Sequence, residues 1–295
     1  MHQILLTFCL LLIVTASPLR AATVVDAVGR QVKVPDSPAR IVSLVPSVTE
    51  ILFAIQADRQ IVAVTDYCTY PPQAALLPSV GSYADPSLEN ILSYQPDLVI
   101  ASAAMNSPAL IAQLDNLGIA TFVIETHSVA QTLITIRSIG RLTGHQTQAD
   151  TLAADIDQRI QAIRQQVPRD HSPTILPCIV LQPLTVAGPD TFINDLIEIA
   201  GARNVVPAGP ARYPTWNFEA LLLANPDFIL LSPHPGQPDS SRFFAPWTQL
   251  KAVTEQHIVK INADWLYRPG PRMILGIEAL AKTLHPEMKI DAPTD

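Results

Sequence analysis

A fifteen-residue pattern of this chain occurs twice. Leu88-Glu89-Asn90-Ile91-Leu92-Ser93-Tyr94-Gln95-Pro96-Asp97-Leu98-Val99-Ile100-Ala101-Ser102 is answered by Phe218-Glu219-Ala220-Leu221-Leu222-Leu223-Ala224-Asn225-Pro226-Asp227-Phe228-Ile229-Leu230-Leu231-Ser232, in register at a shift of 130 residues (219 minus 89). Each copy reads as a helix with one apolar face, a Pro-Asp that stops it, and a buried strand ending in Ser. Glu89 and Glu219 fall in the opening turns, where the helix dipole favours an acid. Thr49-Glu50-Ile51-Leu52 and Asn194-Asp195-Leu196-Ile197 form a second, weaker pair of helix starts. A chain that repeats a helix-strand unit in this way is predicted to fold as two versions of one α/β lobe.

The surrounding pattern extends both units. Arg40–Leu44, Ile61–Thr65, Leu98–Ser102 and Thr121–Ile124 are short β-branched runs, and Ile175–Gln182, Phe228–Ser232 and Ile258–Ile261 follow in the second half. They alternate with apolar-periodic segments such as Phe192–Ala200 and Arg272–Leu284, the signature of α/β architecture. Between the halves, Leu152, Ile156, Ile160, Ile163 and Val167 recur at helical spacing with polar residues filling the rest. This predicts one long amphipathic helix free of Gly and Pro until Pro168, a stiff strut between lobes; the same residues also suit a helix packed on one lobe only. The expected organisation is a signal peptide at 1–22, a first lobe at 23–145, a backbone helix at 146–168 and a second lobe at 169–295, with a ligand cleft between the lobes.

The leader rests on Ile4–Ala16, apolar but short of a membrane span, followed by small residues suited to cleavage near Ala21 or Ala22. An uncleaved anchor is the alternative, and export to the periplasm the expectation. Cys9 sits behind bulky Phe8, a poor place for lipid attachment. Cys68 and Cys178 then remain in opposite halves, free or bonded. A net charge of -7 without a basic run argues against nucleic acid as partner. No G-x-S-x-G, Walker A, G-x-G-x-x-G or H-E-x-x-H motif is present, and the seven His have no metal-ligand spacing. Neither an enzyme, a resident cofactor nor a metal site is expected.

The positive signal is aromatic. Tyr67 and Tyr70 follow the Ile61–Thr65 run, and Tyr83 precedes the first repeat helix; Tyr213 and Trp216 hold the matching stretch before Glu219. Asp264-Trp265-Leu266-Tyr267-Arg268 follows the Ile258–Ile261 run. Rings with polar tips on both walls of a cleft suit a bulky, flat or amphipathic ligand, although core packing would employ any one of them equally well. Val186-Ala187-Gly188 reads as a turn or as a place for close backbone approach to ligand.

The runs RIVSLVPSVTEILFAI, VTDYCTYPPQA, SLENILSYQPDLVIAS, YPTWNFEALLLANPDFILLS and DWLYRPGPRMILGIEAL resemble those of periplasmic binding proteins with a helical interdomain backbone, class III of that fold, over nearly the whole chain after the leader. That family binds cobalamin, haem or ferric siderophores for ABC importers; Y-x-x-Y-P-P-Q and D-W-x-x-R favour the cobalamin branch. The resemblance implies a corrinoid site lined by Tyr67, Tyr83, Tyr213, Asp264 and Arg268, with Tyr83 and Tyr213 standing where the branch carries Trp. Tyr70 and Trp216 join the candidates by position alone. It also implies that Glu89 and Glu219 meet basic pockets on a dimeric membrane permease, the free receptor being a monomer. The rival readings are a haem or ferric-siderophore receptor, an exported α/β hydrolase and an exported scaffold protein.

Overall fold

The computed structural model describes residues 21–168, 172–233 and 240–289. The expected leader, with Cys9, lies almost wholly outside them; its last residues, Ala21 and Ala22, open the first strand. That strand, β1 (Ala21–Val25), pairs antiparallel with β2 (Gln31–Pro35) as a hairpin ahead of the first sheet.

The repeat emerges as topology. The first sheet is built from β3 (Ile41–Ser43), β4 (Ile61–Ala63), β5 (Leu98–Ser102) and β6 (Thr121–Ile124), all parallel and ordered β4-β3-β5-β6. Its helices are α1 (Pro46–Ala54), α2 (Leu88–Ser93), α3 (Pro108–Asn116) and α4 (Val129–Thr143). After α5 (Gln146–Gln166) the second half adds β7 (Thr174–Leu181), β8 (Leu184–Val186), α6 (Phe192–Ile199), β9 (Arg203–Asn204), α7 (Phe218–Ala224) and β10 (Phe228–Leu231). It ends with α8 (Lys251–Thr254), β11 (Ile258–Lys260), α9 (Ala263–Tyr267) and α10 (Met273–Leu284). The parallel strands here run β9-β7-β10-β11, and β8 is an antiparallel addition along the far part of β7. Setting β8 aside, both sheets have the order second-first-third-fourth.

The two copies agree in finer detail. Gln95 and Asn225, one repeat apart, both take left-handed backbone at φ 46° and 36° and end α2 and α7. The Asp that follows each Pro does more than mark a helix end. Asp97 accepts the N–H groups of Ala39 (2.8 Å) and Arg40 (2.9 Å), and Asp227 accepts that of Thr174 (2.7 Å). Each carboxylate therefore fixes the start of its lobe's first strand, β3 or β7. The Lys251 ammonium and the Thr174 groups hold the Asp227 carboxyl down at about 2 against the opposing effect of burial.

Residues of α5 pack both ways. Ile156, Ile160 and Ile163 are buried in a core shared with Ile136 and Ile139 of α4, Leu196 of α6 and Leu280 of α10. Arg159 forks onto Glu278 of α10, donating at 2.8 and 2.7 Å. A shared core and a bidentate ion pair make a stiff joint, so relative motion of the two sheets is confined to small angles. No helix among the described residues is long and apolar enough to cross a membrane.

The closest seam is between α4 and α5. A Cβ on Gly140 would lie 2.2 Å from Ala149 Cβ and 3.1 Å from the His145 carbonyl oxygen. Gly140→Ala is therefore expected to destabilise the fold by about 1–3 kcal/mol despite the better helix propensity of Ala. Urea denaturation checks it, and adding Ala149→Gly, which removes the opposing methyl, is expected to return part of the loss.

Candidate functional site

In a parallel sheet whose strand order reverses, the loops leaving the two strands at the reversal diverge and open a crevice at their carboxyl ends. Here two such crevices face each other and enclose a cavity of 340 Å3. Ser47 after β3, Ser102 at the end of β5 and Thr126 after β6 contribute from the first half, and Ile179 of β7, Thr191 before α6 and Tyr267 after β11 from the second. Ser102 closes the first repeat. Its counterpart Ser232 bonds to Tyr267, whose hydroxyl also donates to the Cys178 carbonyl at 3.5 Å. Burial pushes the Tyr267 hydroxyl up to about 12, so it stays a neutral donor at physiological pH.

Tyr213 is the sequence candidate that lines the cavity, with its ring about half exposed. Its segment is pinned along β8. Gly188 donates to the Arg212 carbonyl (2.7 Å), Val186 to that of Pro214 (3.1 Å), and Trp216 donates to that of Leu184 (2.8 Å). Side chains alternate across an extended segment, so residues three apart face opposite ways. Tyr213 thus faces the cleft, while Trp216 packs partly buried against the second half's outer core. Gly188 serves the same pinning: a Cβ there would lie 3.1 Å from the Arg212 oxygen, so the close approach is made by protein backbone. Burial raises the Tyr213 hydroxyl above the usual tyrosine value, with Arg212 pulling the other way.

Tyr67 and Tyr83 form an edge-to-face pair at 5.1 Å beside this cavity, a favoured arrangement for aromatic quadrupoles. Asn106 accepts the Ser102 N–H and donates to the Tyr83 carbonyl, both at 2.8 Å, tying that ring's loop to the cavity wall. Tyr70 goes elsewhere. Its ring covers the Arg272 guanidinium at 3.8 Å and borders a separate cavity of 580 Å3 alongside Phe53 and Arg159. A cation–π contact and the Pro71 turn direct it away from Tyr67.

Asp264 and Arg268 are committed to an ion network that sequence reading missed. Glu50, on α1 of the first half and 3 % exposed, accepts from Arg272 at 3.0 and 2.8 Å and from Arg268 at 3.0 Å. Asp264 pairs with Arg268 at 3.1 Å and Arg272 at 3.4 Å. Arg268 also donates to the Tyr67 carbonyl at 3.3 Å. The arginines thus hold the Tyr67–Tyr70 loop across the junction instead of pointing into the cavity.

Glu89 and Glu219 are exposed in the first turns of α2 and α7, helices capped by Ser87 and Asn217. They occupy equivalent places on the two lobes. Cys68 and Cys178 are both free and buried; Thr49 donates to the Cys68 sulfur at 3.1 Å, and burial pushes the Cys178 thiol well up. Among the described residues, no three His, Cys, Asp or Glu side chains converge as a metal site; His2, His171 and His234 lie outside them.

Residues 41–265 match the model of the periplasmic binding protein family. The vitamin B12-binding protein of Pectobacterium carotovorum is 28% identical over 249 residues, covering 84% of this chain and 88% of that protein. The crystal structure of the periplasmic vitamin B12 binding protein BtuF of Vibrio cholerae superposes with a TM-score of 0.78 at 28% identity, over 86% of this chain and 100% of that one. The periplasmic heme-binding protein RhuT of Roseiflexus sp. RS-1 gives 0.76 at 27% identity, over 84% and 98%.

Proposed function

This chain belongs to the periplasmic binding protein family, and from that premise we propose that it captures cobalamin or a related corrinoid outside the cytoplasm and hands it to an ABC importer. The observation that carries this reading is the cavity built from the carboxyl ends of two equivalent sheets, with Met105, Ile124, Ile179, Phe192 and Leu266 supplying apolar area and Tyr213 and Tyr267 polar-tipped rings. At 340 Å3 it encloses part of a molecule as large as a corrinoid. The rest of the ligand projects from the mouth, and the Tyr67–Tyr83 pair, tied through Asn106 to the lining residue Ser102, offers it a further aromatic surface. No bond is made or broken; the protein binds and releases. The partner is a dimeric permease that meets Glu89 and Glu219, and the free receptor is a monomer. The second reading, haem, draws on the comparably good fit to RhuT.

Calorimetric titration of the purified chain with cyanocobalamin and with haem tests the reading. One-to-one binding of cyanocobalamin, tighter than that of haem, is the expected result. Haem binding without cobalamin binding would overturn the corrinoid assignment and leave the receptor reading in place.

A further inference from the structure

The cavity is nearly devoid of charge. Among its described lining residues, Arg212 is the one permanent cation and Asp190 the one carboxylate. Elsewhere near the junction arginines are spent on acids, Arg268 and Arg272 on Glu50 and Arg159 on Glu278. Arg212 is different: among the described residues it meets no carboxylate. Its Nη1 lies 3.1 Å from each ring nitrogen of His127, which reaches it from the opposite half. His127 Nε2 in turn lies 2.9 Å from Glu125 Oε1. Equal distances to the two ring nitrogens place Nη1 over the face of the imidazole, so what holds the guanidinium across the cleft is a ring contact with no carboxylate.

Its mounting is rigid where its partner is weak. The Arg212 carbonyl is fixed by the Gly188 N–H at 2.7 Å, and the neighbouring residues are bonded along β8. A charge on a fixed backbone, an exposed head and a replaceable ring partner that brings no carboxylate together make a site for an oxyanion brought by the ligand.

We propose that Arg212 anchors a single peripheral oxyanion of the bound ligand, displacing His127 as it does so. The proposal rests on the receptor reading above and narrows its substrate class. Cobalamin carries one such group, the phosphodiester of its nucleotide loop, among neutral amides; haem carries two carboxylates, for which this cavity holds one permanent cation. Asp190 is then available to accept from an amide N–H.

The test compares cyanocobalamin with dicyanocobinamide, which lacks the phosphodiester, and includes haem as a third arm. Arg212→Gln is expected to weaken cyanocobalamin binding about 10- to 100-fold, the range for a hydrogen-bonded charge, and to leave dicyanocobinamide within about 2-fold. Arg212→Lys, which keeps the charge, is expected to recover part of the loss. The wild-type affinity for cyanocobalamin should fall between low and high salt, and that salt dependence should vanish in Arg212→Gln, a readout that a merely structural residue would not move. Equal weakening of both corrinoids, or of neither, overturns the anchor and leaves the corrinoid reading standing. If the wild type binds haem alone and Arg212→Gln weakens it with loss of salt dependence, the anchor stands, its oxyanion is a carboxylate, and the corrinoid reading falls. Wild-type protein that binds none of the three overturns both.

Discussion

Glu50→Gln is expected to destabilise the protein by about 3–5 kcal/mol, the usual cost of removing one partner from a buried ion cluster. The size follows from where the charges sit. The side chains of Glu50, Arg272, Asp264 and Arg268 are 2%, 7%, 14% and 15% exposed. Glutamine keeps the shape but withdraws the charge, leaving two guanidinium groups facing one carboxylate in a medium that screens them poorly. Urea denaturation measures the loss, and Glu50→Gln combined with Arg272→Met is expected to cost less than the sum of the single changes, because the second removes the charge that the first strands. A loss below about 1 kcal/mol, typical of exposed pairs, would show that the network is hydrated in solution. Ligand affinity is expected to drop as well. Glu50 orients Arg268 and Arg272, and these hold the Tyr67 carbonyl and the Tyr70 ring; loosening them frees the loop that carries half of the edge-to-face pair.

Glu50 also shows where reading the sequence stopped. The pairing of Thr49-Glu50 with Asn194-Asp195 identified two helix starts, and both helices, α1 and α6, are there. What the pattern did not convey is that each acid leaves its own half. Glu50 crosses to Arg268 and Arg272, 218 and 222 residues away, while Asp195 crosses back to accept the Val129 N–H at the start of α4 at 2.6 Å. Periodicity reports which face of a helix is apolar; it carries no information about a partner so distant in sequence. For the same reason Asp264 and Arg268 were read as facing ligand, whereas Arg268 pairs with Glu50 and Asp264 pairs with Arg268 and Arg272. The strands were legible because parallel strands buried on both faces are continuous apolar runs: Leu98–Ser102 and Thr121–Ile124 appear with the residues expected. The added strand β8 and the two-residue β9 have no such run. Trp216 was misplaced by a single consequence of β8, since pairing with it puts Tyr213 and Trp216 on opposite faces. His127 carried no local signal, and only the folding of two halves onto one another brings it within 3.1 Å of Arg212.

The repeat supports the second large expectation. Reversing charge at both repeat acids, Glu89→Lys with Glu219→Lys, is expected to reduce importer-dependent uptake about tenfold or more while leaving the ligand affinity of the free protein unchanged. Both acids are exposed and lie outside the cavity lining. Each is in the first turn of a capped helix, so the dipole penalty for a lysine is about 0.3–1 kcal/mol per site, too small to unfold a protein with these cores. Two like acids in equivalent places on two equivalent lobes would suit a partner with twofold symmetry, and in the proposed docking each acid would meet the same basic site on one permease subunit. Rim charges of this kind act on orientation and association rate, and so on salt dependence, more than on the lifetime of the complex. Each single reversal should therefore produce an intermediate loss, and the wild-type rate should fall with ionic strength toward that of the double variant. Uptake by vesicles containing the importer, measured beside calorimetric affinity, separates the outcomes: unchanged uptake would place docking elsewhere on the lobes, and weakened ligand binding would mean that α2 and α7 act on the cleft itself.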